Sequence, residues 1–192
     1  MNSLENWFCA TAFWRNITRQ HLLPWMLQGA DAGGDVLELG AGPGAATSFL
    51  RERFPSVTSL DFSASFASRL SQQLGHGVSR VVQGDAAQLP FVDETFHCVV
   101  AILMLHHLPS PALQAVALAE ACRVLRPNGV FLAFEIHDGW LQRLIHTRST
   151  FVPFAASGAN ARLNAAGFSR VSVDFRRGGF LMRAYRRDDD GD

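Results

Sequence analysis

Short apolar runs alternate with stretches of helical spacing along this chain of 192 residues, and turn residues separate them. Residues 36–39 read as a buried strand, because Val36, Leu37 and Leu39 form the near-continuous apolar run of a parallel sheet. Further strands are expected over 57–60, 80–83, 96–103 and 130–136. Segments 168–175 and 180–185 read as an antiparallel hairpin across RRGG. Helical spacing is expected over 43–53, burying Ala46, Phe49 and Leu50, and over 63–74, closed by Gly75 and Gly77. A third helix runs from the Ser110-Pro111 cap to Leu125, with Leu113, Val116, Ala117, Glu120 and Val124 at helical spacing, and RPNG (126–129) then turns the chain. A short helix over 159–166 ends at Gly167. Before the first strand, residues 4–28 are aromatic and helical on both sides of Pro24.

VLELGAGPG (36–44) organises the rest: a strand, a turn of alternating glycines, then a helix with Pro43 suited to its first position. That is the first half of a nucleotide-binding βαβ unit. Gly40, Gly42 and Ala45 satisfy G-x-G-x-x-G/A, and Asp61 follows at the distance of a ribose-binding acid, so an NAD-binding oxidoreductase is one reading. Four features oppose it. Glu38 sits inside the strand, where it can face a cationic ligand. Pro43 removes an N–H that pyrophosphate binding would use. A second acid, Asp85, follows the next strand in GDAAQLPF, and the chain is short for an added substrate domain.

Composition narrows the classes. Acids and bases balance at 17 each, with formal net charge zero, so charge gives no support to a nucleic-acid partner. No lysine occurs, which excludes a Schiff-base or P-loop lysine. No apolar run approaches the roughly 18 residues of a membrane span, and the opening does not resemble a signal peptide, so a cytoplasmic location is expected. Cys98 and Cys122 lie in apolar surroundings and read as core, Cys9 stands alone, and no zinc or disulfide spacing appears, so no metal is expected.

The stretch 36–134 resembles the class I S-adenosylmethionine-dependent methyltransferases, in the small bacterial branch that includes the ubiquinone and menaquinone biosynthesis enzymes. VLELGAGPG, SLDFS (59–63), GDAAQLPF (84–91) and FHCVVAILMLHHL (96–108) carry it in order, leading into EACRVLRPNGVF (120–131). The resemblance implies an α/β fold: a three-layer, Rossmann-like, seven-stranded, mostly parallel sheet with the last strand antiparallel. It implies a single domain over 1–192, with a helical lid over 1–30, a cofactor-binding core over 35–136, and a substrate-side segment and hairpin over 137–187. S-adenosylmethionine is the implied cofactor, met by Glu38, Gly40, Ala41, Gly42, Gly44 and Leu103. Asp61 takes both ribose hydroxyls, Phe62 walls the adenine, and Asp85 and Ala86 read it. A His stands at 97 where the family commonly has an acid, at the strand end away from the ligand.

The expected reaction is methyl transfer to a small-molecule acceptor, with a non-catalytic, cofactor-binding partner subunit as the alternative. AILM (101–104) replaces the motif of amino-methylating nucleic-acid and glutamine enzymes, which argues against those acceptors. His106 is the candidate general base, because histidine titrates near neutrality; the neighbouring Leu105 and Leu108 favour a packing role instead. Trp14, Arg15, His107 and His137 are candidates on the acceptor side. Glu135, Asp138, His146 and Arg148 lie near the same pocket and read as ordinary loop or helix-surface residues.

Overall fold

In the computed structural model, residues 11–30, 34–75, 79–146, 150–176 and 178–188 are described. Trp7, Phe8, Cys9, Gly77 and Arg148 lie outside them. The strands are β1 (Asp35–Leu39), β2 (Ser56–Asp61), β3 (Ser79–Gln83), β4 (Phe96–Ile102), β5 (Leu125–Ile136), β6 (Phe168–Arg176) and β7 (Gly179–Arg186). They form one seven-stranded sheet in the order β3-β2-β1-β4-β5-β7-β6. The first five run parallel, while β7 lies antiparallel to both β5 and β6. The helices are α1 (Ala12–Ile17), α2 (Leu23–Met26), α3 (Thr47–Arg53), α4 (Ala64–Leu74), α5 (Pro111–Val124), α6 (Trp140–Ile145) and α7 (Ala159–Ala165).

Strand alternation sorts the core into two layers. Leu37, Leu39, Val99, Ala101, Phe131, Ala133, Phe180 and Met182 point to one face, covered by Ala117, Leu118 and Ala121 of α5 and by Ala159 and Leu163 of α7. Val36, Cys98, Val100, Leu132, Phe134 and Leu181 point to the other, covered by Leu22, Leu23 and Met26 and by Phe49 and Leu50 of α3. Cys98 and Cys122 are both buried, as the apolar surroundings suggested.

Three local expectations are corrected. Gly42 (φ +52°) and Gly44 (φ +82°) hold residues 42–46 in a turn, so α3 begins at Thr47 and Pro43 lies outside it. Residues 126–129 join β5 instead of forming a separate turn. They are absorbed as an irregularity between the Phe96–Leu125 and Cys98–Val130 pairs, with Asn128 left-handed at φ +61°. The buried face of α5 is Gln114, Ala117, Leu118, Ala121, Cys122 and Val124, while Leu113 and Val116 are exposed. Before α2, a π-helical turn (Thr18–Leu22) closes with the Leu23 N–H on the Thr18 carbonyl. Pro24 follows at once and has no N–H to give the preceding turn, so the helix widens there.

His97 has a structural task at the start of β4. Its Nδ1 accepts the Asp35 N–H at 3.1 Å, and a Cβ on Gly34 would lie 2.0 Å from that nitrogen. Among the described residues, no helix is long and apolar enough to cross a membrane.

Phe131 is fully buried and packs 5.3 Å, centroid to centroid, from Phe168, joining β5 to the hairpin. Phe131→Ala should cost about 3–5 kcal/mol. Urea unfolding of the two proteins measures it, and a loss under about 1 kcal/mol would show that this layer collapses into the cavity.

Candidate functional site

The chain leaves β1 and reverses through residues 40–46. Gly40 (φ +70°) and Gly44 turn in close packing: a Cβ would come 2.5 Å from Met104 Cγ and 2.6 Å from Leu70 Cδ1 respectively. Gly42 differs, because a Cβ there would meet nothing within 4 Å. The turn is packed at its two ends and open at its middle, where a ligand can approach the backbone.

Two carboxylates fix the turn. Asp61, at the end of β2, accepts the Gly42 N–H on Oδ2 at 2.7 Å and the Ser63 N–H on Oδ1 at 2.8 Å. A carboxylate offers about four lone-pair sites, so about two remain for hydroxyl protons. Glu38 is buried in β1, and its Oε2 accepts from Thr47 Oγ1 at 2.6 Å and Ser59 Oγ at 2.7 Å. It therefore ties β1 to β2 and α3. Loss of hydration raises its carboxyl above the usual range, against the two hydroxyl bonds that lower it.

The other cofactor candidates lie at the same carboxyl edge of the sheet. Phe62 follows Asp61 and is 75% exposed. Asp85, just after β3, is exposed and its Oδ1 accepts the Ala87 N–H at 2.8 Å, while Ala86 is buried. Leu103 leaves β4 with φ +54° and donates its N–H to the Phe134 carbonyl at 2.9 Å. A branched residue in that conformation costs on the order of 1–3 kcal/mol, a kind of strain that clusters at functional sites.

The acceptor-side candidates separate into three places. Trp14 packs against the apolar layer under α1, with Arg15 exposed on the same helix. His137 is exposed after β5 and stacks on Phe175 of the hairpin at 6.0 Å. His106 and His107 occupy a 3-10 turn (Leu105–His107) after β4. The first is only 2% exposed, with Nδ1 2.5 Å from Glu135 Oε2, and Glu135 Oε1 accepts the Leu105 N–H at 2.7 Å. Its carboxylate accepts, so the His106 Nδ1 carries the proton. Burial, then the neighbouring His106, lowers His107 to about 3.

Glu135 and His146 are not ordinary surface residues. Glu135 is fully buried, and His146 is 9% exposed, with its ring 5.1 Å from that of His106. Strand alternation could have placed Glu135 inward beside Phe131 and Ala133. Asp138 does fit a surface reading, in an exposed pair with Arg143. Gln114 was missed altogether. Its buried amide donates to the Leu105 carbonyl at 3.0 Å and the Val152 carbonyl at 2.8 Å, and Arg162 donates to its Oε1 at 2.9 Å. A polar residue at a core position of α5 was the available signal.

The raised Glu38 carboxyl fixes the sign of a pH effect. Its folded state holds a proton more tightly than the unfolded value of 4.5, so its contribution is fully present below that pH and is lost as pH rises through the folded pKa. Glu38→Gln keeps an acceptor for Thr47 and Ser59 without the charge. The variant should lose less stability than the parent between pH 4.5 and 7, read from urea midpoints across pH. Parallel curves would remove the assignment.

Comparison with known proteins gives this geometry a family. Residues 37–133 match the methyltransferase domain. An uncharacterized methyltransferase of Synechocystis is 29% identical over 174 residues, covering 85% of this chain and 80% of that protein. The malonyl-[acyl-carrier protein] O-methyltransferase of Geobacter sulfurreducens is 34% identical, covering 72% of this chain and 57% of its own length. The demethylmenaquinone methyltransferase of Tropheryma whipplei is 29% identical, covering 77% and 54%, so the chain spans about half the length of these two relatives. Among solved structures, the PH0226 protein of Pyrococcus horikoshii superposes with a TM-score of 0.78 at 18% identity, covering 94% of each chain. A SAM-dependent methyltransferase of Aquifex aeolicus superposes with a TM-score of 0.73 at 16% identity, covering 96% of this chain and 98% of its own. With the methyltransferase domain matched over half of this chain, the chain belongs to the S-adenosylmethionine-dependent methyltransferases.

Proposed function

We propose that the protein transfers the methyl group of S-adenosylmethionine to a nucleophile on a small molecule. The observation that carries this reading is the turn at Gly42, open on one side, with the Asp61 carboxylate across it and Phe62 exposed beside it. The cofactor supplies a methyl group on a positively charged sulfur, which a nucleophile takes directly. The chain's part is to bind and align. Asp61 gives its remaining lone pairs to the two ribose hydroxyls. Phe62 covers one face of the adenine, Asp85 accepts from its exocyclic amine, and the Ala86 N–H donates to its ring. The backbone of Gly40, Ala41, Gly42 and Gly44, with Glu38 beneath it and Leu103 opposite, receives the amino-acid end.

Orientation alone can supply roughly 7–11 kcal/mol of such a barrier, so the reaction needs no protein nucleophile. The proposal uses no general base. His106 is 2% exposed and bonded to Glu135, which suits a fixed group better than one exchanging protons with a bulky acceptor. The relatives named for malonyl-[acyl-carrier protein] and demethylmenaquinone support a small-molecule acceptor, and Trp14, Arg15, His107 and His137 are the residues proposed to face it.

Calorimetric titration with S-adenosylmethionine, S-adenosylhomocysteine and NADH should show binding of the first two and not the third. Methyl release with a panel of small acceptors then separates an enzyme from a cofactor-binding subunit. Asp61→Asn should weaken binding of S-adenosylhomocysteine by about 1.5–3 kcal/mol, roughly 10- to 150-fold. Unchanged affinity in a folded variant would refute the ribose role. Gly42→Ala should stay folded, losing about 1–2 kcal/mol to its positive φ, and should bind the cofactor at least about tenfold more weakly because its methyl fills the open side.

A further inference from the structure

Three imidazoles converge beside the carboxyl ends of β4 and β5. His106, His107 and His146 each place one ring nitrogen so that all three nitrogens lie within 4.8 Å of one another. The rings pack at centroid separations of 4.2, 5.1 and 5.6 Å, and Phe151 lies 4.4 Å from His146 and 5.4 Å from His106. We propose that these three histidines form a binding site for a single divalent transition-metal ion of the zinc type, held through nitrogen and open at one further coordination position.

The hydrogen bonds made at Nδ1 of each ring carry the argument. His106 Nδ1 is bonded to the Glu135 carboxylate, His107 Nδ1 lies 3.2 Å from the Thr150 carbonyl, and His146 Nδ1 lies 2.6 Å from the Gln142 carbonyl. All three oxygens are acceptors, so each Nδ1 is the protonated nitrogen. In a neutral ring this leaves Nε2 as the one carrying a lone pair. Metal-binding histidines are commonly fixed in this way, with a carboxylate or backbone carbonyl orienting the ring and raising its basicity. Three imidazole nitrogens with no carboxylate among them suit zinc, cobalt, nickel or copper and not magnesium or calcium, which take oxygen.

The backbone around the cluster is held in place. The Val152 N–H donates to the His106 carbonyl at 2.8 Å, and Gln114 clamps the Leu105 and Val152 carbonyls together. His106 and His146 are buried while His107 is partly open, which gives an ion one side of approach. An ion there would join the turn after β4 to the segment after β5. His106 Nε2 would be taken up by the ion, so metal binding and a general-base role for this ring exclude one another.

The test uses the untagged full chain, stripped with a chelator and titrated with Co2+ without cofactor or acceptor, so its outcome is independent of methyl transfer. One equivalent should produce the visible d–d absorption of a four- or five-coordinate site, bleached by Zn2+ and unaffected by a large excess of Mg2+. His107→Ala and His146→Ala, each folded by circular dichroism, should lower Co2+ affinity at least about tenfold, as loss of one of three ligands requires. No visible band in the parent protein overturns the proposal. So does a band that survives in the His107→Ala/His146→Ala double variant, because the ion would then sit elsewhere.

Discussion

The carboxylate of Asp61 bonds to two backbone N–H groups on two different chain reversals. One is the turn leaving β1, at Gly42, and the other is the start of α4, at Ser63. A charge that is only 8% exposed needs such partners, and these bonds supply them without a countercharge. The cost of burying the ion thus becomes a geometric constraint: the glycine turn can occupy only the place from which Gly42 reaches Oδ2. Glu38 repeats the arrangement one layer below through Thr47 and Ser59. The open face at Gly42 has a fixed shape before any ligand arrives.

Most of the fold was legible because the sheet interior obeys period-two alternation with both faces covered, and because glycine and proline mark the turns. The glycine turn was legible because Gly40, Gly42 and Gly44 hold positive φ angles that other residues rarely adopt, and Asp61 because it follows that turn at the spacing of a ribose-binding acid. Where the reading failed, tertiary context competed with local pattern. α5 looked amphipathic through Leu113 and Val116, yet it rotates to bury Gln114, whose amide is required by two carbonyls that no local rule reveals. Glu135 read as an ordinary loop or helix-surface residue, but its partners, Leu105 and His106, come from a different element. His146 lies far along the chain from His106, so no ligand spacing could announce their contact.

The two ends of the site are built by different means. At the glycine turn, backbone groups meet the Asp61 carboxylate, which leaves little latitude for substitution. Beyond the end of β4, imidazole, aromatic and amide side chains pack between the turn after β4 and the segment after β5. Side chains can be exchanged without moving the sheet, so this half can change chemistry while the other half stays the same.

The Gln114 amide shows how far that freedom extends. Its two N–H groups are matched to two carbonyls and its single oxygen to Arg162, whose guanidinium also lies 4.0 Å above the Phe154 ring. A glutamate there would set charge against both carbonyls, and an aliphatic residue would leave them buried and bare. The amide works as a fixed pin between the turn after β4 and the segment after β5. Side chains around it can change while Leu105 and Val152 keep their spacing.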